Sequence, residues 1–143
     1  MMADKNADAN ARIIDMFRAN AGEVGGPFAG KRVVLLHHLG RKSGTAYISP
    51  LVGATDEDAY LVCGSAGGAP ADPAWVANVE QGSGVTTLEV GTEVLRVRTT
   101  VVRAGSPEWD RLYGIWSQYW PSAKDYEQRG TRLFPVIRLE PLN

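Results

Sequence analysis

The sequence has little cysteine and no long apolar segment. Cys63 is the single cysteine among 143 residues, so no internal disulfide can form and no cysteine-based metal site can be assembled. No apolar run approaches the roughly 20 residues that a membrane-spanning helix requires, and the N-terminus lacks the apolar core of a secretion signal. These absences predict one domain in a reducing, cytoplasmic compartment.

An excess of charge of one sign is also lacking. The chain has 15 Lys and Arg residues against 16 Asp and Glu residues, which leaves a net charge of −1. This balance argues against nonspecific nucleic-acid binding, which needs a basic surface. An anionic ligand would have to bind at a local group of cations.

Several common catalytic motifs are absent as well. No Gly-x-Gly-x-x-Gly follows a strand, and neither a P-loop nor a Gly-x-Ser-x-Gly elbow occurs. His37 and His38 are adjacent in a predicted strand, so their side chains point to opposite faces and cannot share one metal ion. The sequence predicts neither a metal site nor a serine-hydrolase site.

The pattern that is present consists of short strands, hairpins and a few helices. It predicts a helix at residues 6–20, about three strands, a short helix, a hairpin around Gly91–Thr92, a longer helix and a closing strand. Strands joined by short turns pair antiparallel. The predicted fold is α+β and mainly β, a small, partly open barrel with an N-terminal helix and two further helices packed on it.

The first helix is amphipathic and admits two interpretations. It can dock on the barrel, or it can lie peripherally on a membrane surface. We assign residues 1–30 to this helix and its connector, and residues 31–143 to the barrel domain. The predicted apolar face of the helix consists of Ile13, Ile14, Met16 and Phe17.

The two later helices carry recognisable start signals. Asp72 is predicted to cap the short one, with Pro73 at its first position and Gly82 after its end. Ser106 is predicted to cap the longer one, with Pro107 at its first position. Four residues at positions i, i+3, i+4 and i+7 form an apolar face on the longer helix: Trp109, Leu112, Tyr113 and Trp116.

The segment "GRKSG" at residues 40–44 is a candidate anion site. Arg41 can bind a phosphate through two parallel hydrogen bonds, Lys42 adds a point charge, and Ser43 adds a hydroxyl. The flanking glycines, Gly40 and Gly44, let the backbone turn and approach a ligand closely. The alternative is a solvated hairpin tip, where exposed cations are common.

Two further segments are candidates for binding a planar molecule. In "GSAGGAPADPAWVANV", Trp75 and Asn78 are three residues apart and share a helix face; the alternative is core packing for the indole and a surface position for the amide. In "WSQYWPSAKDYEQRG", the dense aromatic residues could line a substrate pocket, or could form a minor core cluster. Tyr126 there is a candidate proton donor.

Taken together, five segments in this order resemble a known family: "GRKSG" (40–44), "SPL" (49–51), "GGAPADPAW" followed by Asn78, "DYEQR", and "FPVIRLEP". The sequence resembles the deazaflavin-dependent nitroreductase family, actinobacterial reductases that use coenzyme F420, from about Val33 to Pro141. The resemblance implies a split β-barrel, also used by FMN-binding oxidases, and hydride transfer from reduced F420 to an electron-poor substrate.

The resemblance also implies roles for individual residues. Arg41, Lys42 and Ser43 would hold the anionic tail of the cofactor. Further cofactor-binding positions would be Gly44, Ser49, Pro50, Ser65, Gly67, Gly68, Trp75 and Asn78. The substrate pocket would be formed by Trp116, Trp120, Ala123 and Tyr126, with Tyr126 as proton donor or positioning residue.

The sequence departs from the family pattern at four positions, and Trp120 stands where the first of three spaced tyrosines is frequent. Ala123 replaces the middle tyrosine of a Tyr-x-x-Tyr-x-x-Tyr motif that is tied to nitroimidazole activation, which favours a bulkier planar substrate. Tyr47 stands where a basic residue is frequent, and Ala66 where a polar residue is frequent. The tail could therefore be held differently near Tyr47 and Ala66.

The predicted reaction is reduction of an activated double bond in a small planar molecule. Candidate substrates are an enone, a quinone, or a coumarin- or furanocoumarin-type lactone such as an aflatoxin-type compound. The alternatives are an FMN- or haem-binding split barrel and a non-catalytic F420 carrier. Nothing in the sequence predicts the oligomeric state.

Overall fold

A computed structural model describes residues 5–65, 71–121 and 133–142. The chain forms three helices, α1 (Lys5–Ala19), α2 (Ala74–Glu80) and α3 (Pro107–Tyr119), with a 3-10 turn at Gly26–Phe28. The strands are β1 (Val33–Leu39), β2 (Ala46–Val52), β3 (Ala54–Asp56), β4 (Ala59–Cys63), β5 (Val85–Val90), β6 (Glu93–Val102) and β7 (Val136–Pro141).

The seven strands form one curled antiparallel sheet in the order β2-β1-β5-β6-β7-β4-β3. Its centre is the β5–β6 hairpin, which turns at Gly91 with a positive φ of 58°, as the sequence predicts. The α+β split-barrel prediction, with one N-terminal helix and two others, is confirmed. In the described part of the chain, no helix is long and apolar enough to cross a membrane.

The prediction of about three strands before α2 is wrong by one, because the second predicted strand divides at Gly53. Its amide donates to the carbonyl of Arg32, and a Cβ atom there would lie 3.1 Å from Val34. After this break the chain leaves β1 and pairs with β4 instead. Pro50 is tolerated because β2 is an edge strand, which does not need every backbone donor.

Each helix covers its own part of the apolar core. α1 packs through Phe17 on Val33 and Leu35 of β1, so this helix is docked on the sheet. Met16, which belongs to the predicted apolar face, is nevertheless 44% exposed. The cluster under α2 includes Trp75, Val76, Val79, Leu36, Leu88 and Val97. The cluster under α3 includes Trp109, Leu112, Tyr113, Trp116, Leu61 and Val136.

The two predicted caps have different outcomes. Ser106 caps α3, since its hydroxyl oxygen accepts a hydrogen bond from the amide of Trp109 at 3.1 Å. The prediction that Asp72 caps α2 is wrong: Pro73 is the N-cap residue, without a side-chain hydrogen bond. The Asp72 carboxylate instead accepts from the Arg103 guanidinium, which also binds Glu80 at the other end of α2.

Candidate functional site

The "GRKSG" segment forms the tight turn between β1 and β2. The amide of Gly44 donates to the carbonyl of Gly40, and the amide of Gly40 donates to Thr45, both at 2.8 Å. Gly44 has a φ of +72°, which favours glycine, and a Cβ at Gly40 would lie 2.7 Å from the Ser43 hydroxyl. The glycines therefore shape a turn that leaves the cationic side chains exposed.

A cavity of about 650 Å³ lies beside this turn, within the roughly 300–1,000 Å³ of small-molecule sites. Four elements contribute to its wall: α1, the end of β1 with its turn, β2, and α2. Among the predicted binding residues, it brings together Arg41, Lys42, Ser43, Ser49, Trp75 and Asn78. Other lining residues include Asn10, Ala11, Ile14, His38, Gly40, Tyr47 and Ile48.

Hydrogen bonds to Asn78 connect the cationic turn to α2. Its side chain is buried, and its Oδ1 atom accepts hydrogen bonds from the Arg41 amide at 3.1 Å and from Arg41 Nη1 at 3.2 Å. The position of Arg41 therefore depends on a helix that lies 37 residues further along the chain. The surface position considered for this amide is wrong.

His38 lies behind Asn78 and completes a buried polar chain. His38 Nδ1 lies 3.0 Å from Asn78 Nδ2, and His38 Nε2 lies 2.9 Å from the hydroxyl of Ser49. The ring of Tyr47 stacks on the imidazole with 5.6 Å between centroids. Burial lowers the pKa of His38 to about 4, so the imidazole is neutral near pH 7.

The electrostatics of the cavity mouth favour an anion. In the described part of the chain, neither Arg41 nor Lys42 pairs with a carboxylate, and both are exposed. Other arginines are neutralised: Arg18 by Glu89, and Arg103 by Asp72 and Glu80. The positive charge at the mouth is therefore available to a ligand, unlike the charge of Arg18 and Arg103.

A second cavity of about 460 Å³ adjoins the first. The two share His38, Tyr47, Ile48 and Asn78 as a common wall, and the second extends along β5 and β6 past Thr86. His38 and Asn78 of the polar chain therefore line both spaces.

Several predicted site residues are not brought to either cavity. Gly44, Pro50 and Ser65 line neither one. Trp116 is buried under α3, where its Nε1 has no hydrogen-bond partner among the described residues, and Trp120 stacks on Phe28. The remaining predicted positions, Gly67, Gly68, Ala123 and Tyr126, lie outside the described residues, as does Ala66.

Sequence reasoning missed the contributions of α1 and of His38. Asn10, Ala11 and Ile14 form one wall of the cavity, whereas the helix alone suggested only docking or membrane contact. By its sequence position alone, His38 is a candidate only for metal binding, which the adjacent His37 argues against. Its place immediately before a cationic turn was the available signal, but its partners Asn78 and Ser49 become visible only in the fold.

The described residues contain no group of three or more side chains suited to hold a metal ion. The two histidines are separately engaged, His38 as above and His37 with Glu89 at 2.7 Å. Arg18 and His37 together lower the pKa of Glu89, with the Arg18 hydrogen bond as the larger cause.

The chain is similar to a known protein family along most of its length. Residues 11–141 match the model of the F420H(2)-dependent quinone reductase family. The chain belongs to this family. It is therefore an oxidoreductase that uses coenzyme F420, and the family resemblance, the enzyme class and the cofactor expected from the sequence are confirmed.

Individual relatives agree with this assignment. An F420H(2)-dependent quinone reductase from Mycobacterium tuberculosis is 30% identical over 126 residues, which is 87% of this chain and 84% of the relative. The solved structure of an F420-H2 dependent reductase, FDR-A, is 27% identical with a TM-score of 0.65, and the match covers 76% of this chain and 93% of that one.

A haem storage protein from Vibrio cholerae shares the fold alone. It is 14% identical with a TM-score of 0.57, and the match covers 91% of this chain and 88% of that one.

Proposed function

We propose that the protein reduces an activated double bond in a planar, electron-poor acceptor with reduced F420. Quinones are the first acceptors to test, because the family and the M. tuberculosis relative are both named for quinone reduction. Enones and coumarin- or furanocoumarin-type lactones, including aflatoxin-type compounds, are the other candidate classes. The cofactor, when bound, supplies the hydride, and the acceptor takes up one proton with it.

The observation that carries the proposal is the cavity beside the Arg41 turn, whose donors suit the anionic phosphate and glutamate tail of F420. Arg41 offers a guanidinium already oriented by Asn78, Lys42 an exposed ammonium, and Ser43 a hydroxyl. Charge-assisted hydrogen bonds of this kind are among the stronger polar contacts. We place the tail on these three residues.

The inner part of the same cavity suits a planar ring. Trp75 of α2 is buried and lines the cavity, as do Ile48 and the stacked pair of Tyr47 and His38. Apolar and aromatic walls with a few polar groups are typical of cofactor sites. We propose that the deazaflavin lies between these walls, with Ser49 at its polar edge.

The acceptor site is proposed from sequence, on Trp120, Ala123 and Tyr126, without Trp116, which is buried in the core cluster of α3. In this proposal Tyr126 orients the acceptor or protonates it, and the small side chain of Ala123 admits a bulky planar molecule. Changing Tyr126 to Phe separates the two roles: loss of turnover with unchanged acceptor affinity supports proton donation, and weaker acceptor binding supports positioning.

The first experiment is a fluorescence titration of the purified protein with F420, with FMN and haem in parallel. Micromolar or tighter binding of F420 alone supports the proposed site. Binding of FMN or haem instead would contradict it and favour the other split-barrel cofactors.

The second experiment tests turnover. Reduced F420 is mixed with the protein and with members of each acceptor class, and its oxidation is followed by absorbance. Consumption with quinones but not with the other classes would narrow the substrate to quinones. Tight F420 binding without oxidation by any acceptor would contradict the reductase and favour a carrier.

Location in the cell is a separate part of the proposal. We propose a cytoplasmic protein, and we retain peripheral membrane contact through α1 only as an outcome to be tested by liposome sedimentation. Met16 is the exposed large apolar residue of α1. Changing it to Asp should leave the sedimentation of the protein with liposomes unchanged if α1 packs only on the barrel. A loss of liposome binding would support membrane contact.

A further inference from the structure

The hydrogen-bond chain through His38 has only one consistent direction. Asn78 Oδ1 faces Arg41, because two N–H groups of Arg41 converge on it. The amide nitrogen of Asn78 must therefore face His38, where Nδ2 donates to Nδ1. A nitrogen that accepts carries no proton, so the neutral imidazole holds its proton on Nε2.

This direction continues to Ser49. The Nε2–H of His38 donates to the Ser49 oxygen at 2.9 Å, which occupies that hydroxyl as an acceptor. Within the described part of the chain, the Ser49 hydroxyl has no other hydrogen-bond partner, and it lines the cavity beside Arg41. Its own proton is therefore free to be donated into that cavity.

We propose that His38 is a positioning residue, which anchors Asn78 in the orientation that Arg41 requires and passes this direction on to Ser49, and so holds both a guanidinium and a hydroxyl donor toward the ligand. This inference rests on the proposed function, because the ligand is taken to be F420. The chain orients Arg41 for the anionic tail at one end. At the other end it makes Ser49 a donor, which selects a carbonyl oxygen or ring nitrogen of the deazaflavin edge.

The burial of the chain supports this role. His38 and Asn78 are 8% and 7% exposed, so either of these two side chains becomes a buried unsatisfied group if it loses its partner. The stacked ring of Tyr47 covers the imidazole. A buried chain that is fully satisfied in one direction holds its members rigidly.

A first measurement uses the protein without cofactor. Nitrogen-15 NMR of the histidine side chains at about pH 6 should show the His38 imidazole neutral, with its proton on Nε2. Changing Asn78 to Asp removes the donor to Nδ1, so the imidazole should then take up a second proton at the same pH. A proton on Nδ1 in the unmodified protein, or no change in the Asp variant, would overturn the inference.

A second measurement compares F420 with its tail-less deazaflavin analogue by fluorescence titration. Changing His38 to Phe keeps a ring in place but removes the acceptor for Asn78 Nδ2 and the donor to Ser49, so that only the Arg41 contacts still hold Asn78. Affinity for F420 should fall about threefold to tenfold more than affinity for the analogue. An additional fall of this size corresponds to the loss of about one hydrogen bond. Equal losses for both ligands would show that His38 does not hold Arg41 for the tail and would overturn the inference.

The matched control is His37→Phe, which makes the same change on the neighbouring residue. His37 contacts Glu89 rather than Asn78, so its variant should bind F420 and the analogue as the unmodified protein does. The two measurements also separate the two proposals. If the unmodified protein fails to bind F420, the proposed function fails, whereas the NMR result still supports or overturns the direction of the hydrogen-bond chain.

Discussion

At the scale of single residues, Arg41 and Lys42 are adjacent cations with different constraints. Arg41 is held by the side chain of Asn78, so its guanidinium is oriented before any ligand arrives. Lys42 makes no side-chain hydrogen bond among the described residues, and it is exposed at the tip of the turn. We expect Arg41 to give directional binding and Lys42 to give attraction that depends on salt.

Changing Lys42 to Ala should weaken binding of F420 more than binding of the tail-less analogue. The loss of one charge-assisted contact with the tail costs about 1.5–3 kcal/mol, and the exposure of Lys42 favours the lower end of that range. Fluorescence titration at low and high salt checks this, because the difference between the ligands should shrink as salt rises.

A suitable control for Lys42 is Arg98→Ala. Arg98 is an exposed cation of β6, it lines neither cavity, and its removal changes the net charge equally. If the Arg98 variant loses as much affinity as the Lys42 variant, the effect comes from overall charge and the tail does not lie on the turn.

At the scale of elements, the β1–β2 turn requires a left-handed residue at Gly44. Its φ of +72° costs an L-residue about 1 kcal/mol or more, and Asn tolerates that conformation better than Ala. Gly44→Ala should therefore lower the free energy of unfolding by about 1 kcal/mol, and Gly44→Asn by less. Urea unfolding measures both, and equal losses would show that φ is not the cause.

The start of α3 gives a second prediction at this scale. Changing Ser106 to Ala removes the acceptor for the Trp109 amide and should lower the free energy of unfolding by about 1 kcal/mol. Ser106→Asp keeps an acceptor at the cap and should retain most of the stability. Thermal and urea unfolding of the two variants test this, and an Asp variant as unstable as the Ala variant would argue against capping.

At the scale of the whole molecule, Asp56 joins α3 to the sheet. Its buried carboxylate accepts hydrogen bonds from Arg111 of α3 and from Arg138 of β7. These partners, Arg111 first, lower the pKa of Asp56 below its usual 3.8. Both arginines are partly exposed to water, so Asp56→Asn should cost only about 1–2 kcal/mol at pH 7.

The lowered pKa of Asp56 determines how this contribution varies with pH. It is fully present above 3.8, the unfolded value, and is lost as pH falls from there toward the lower native pKa, because the unfolded chain takes up the proton first. The free energies of unfolding of Asp56→Asn and of the unmodified protein, measured with urea, should converge in that range. A difference that stays constant there would contradict the ion-pair explanation.

His38 predicts a second pH dependence in a higher range. Its pKa falls from 6.5 in the unfolded chain to about 4 in the folded one, so the unfolded state alone gains a proton between these values. Stability should therefore decline as pH falls from 6.5 to about 4. The decline should be smaller in His38→Phe, and a slope that is the same in both would place the titration on another group.

Much of the fold follows from local pattern. The β5–β6 hairpin, the Ser106 cap and the apolar face of α3 depend on residues that are close in sequence, so periodicity and turn chemistry were sufficient. The break at Gly53 and the partner of Asp72 were not predictable in this way. The break at Gly53 depends on Val34, which lies 19 residues away in sequence. The partner of Asp72 is Arg103, which lies 31 residues away.

The same division holds for the site. The cationic turn at residues 40–44 and the family to which the chain belongs follow from short contiguous motifs, so both can be predicted without coordinates. The fold alone shows that Asn78 holds Arg41, that His38 lies between Asn78 and Ser49, and that α1 forms a wall of the cavity. Hydrogen bonds across 37 to 40 residues of chain leave no periodic signal, since they arise only when the curled sheet brings β1, β2 and α2 together.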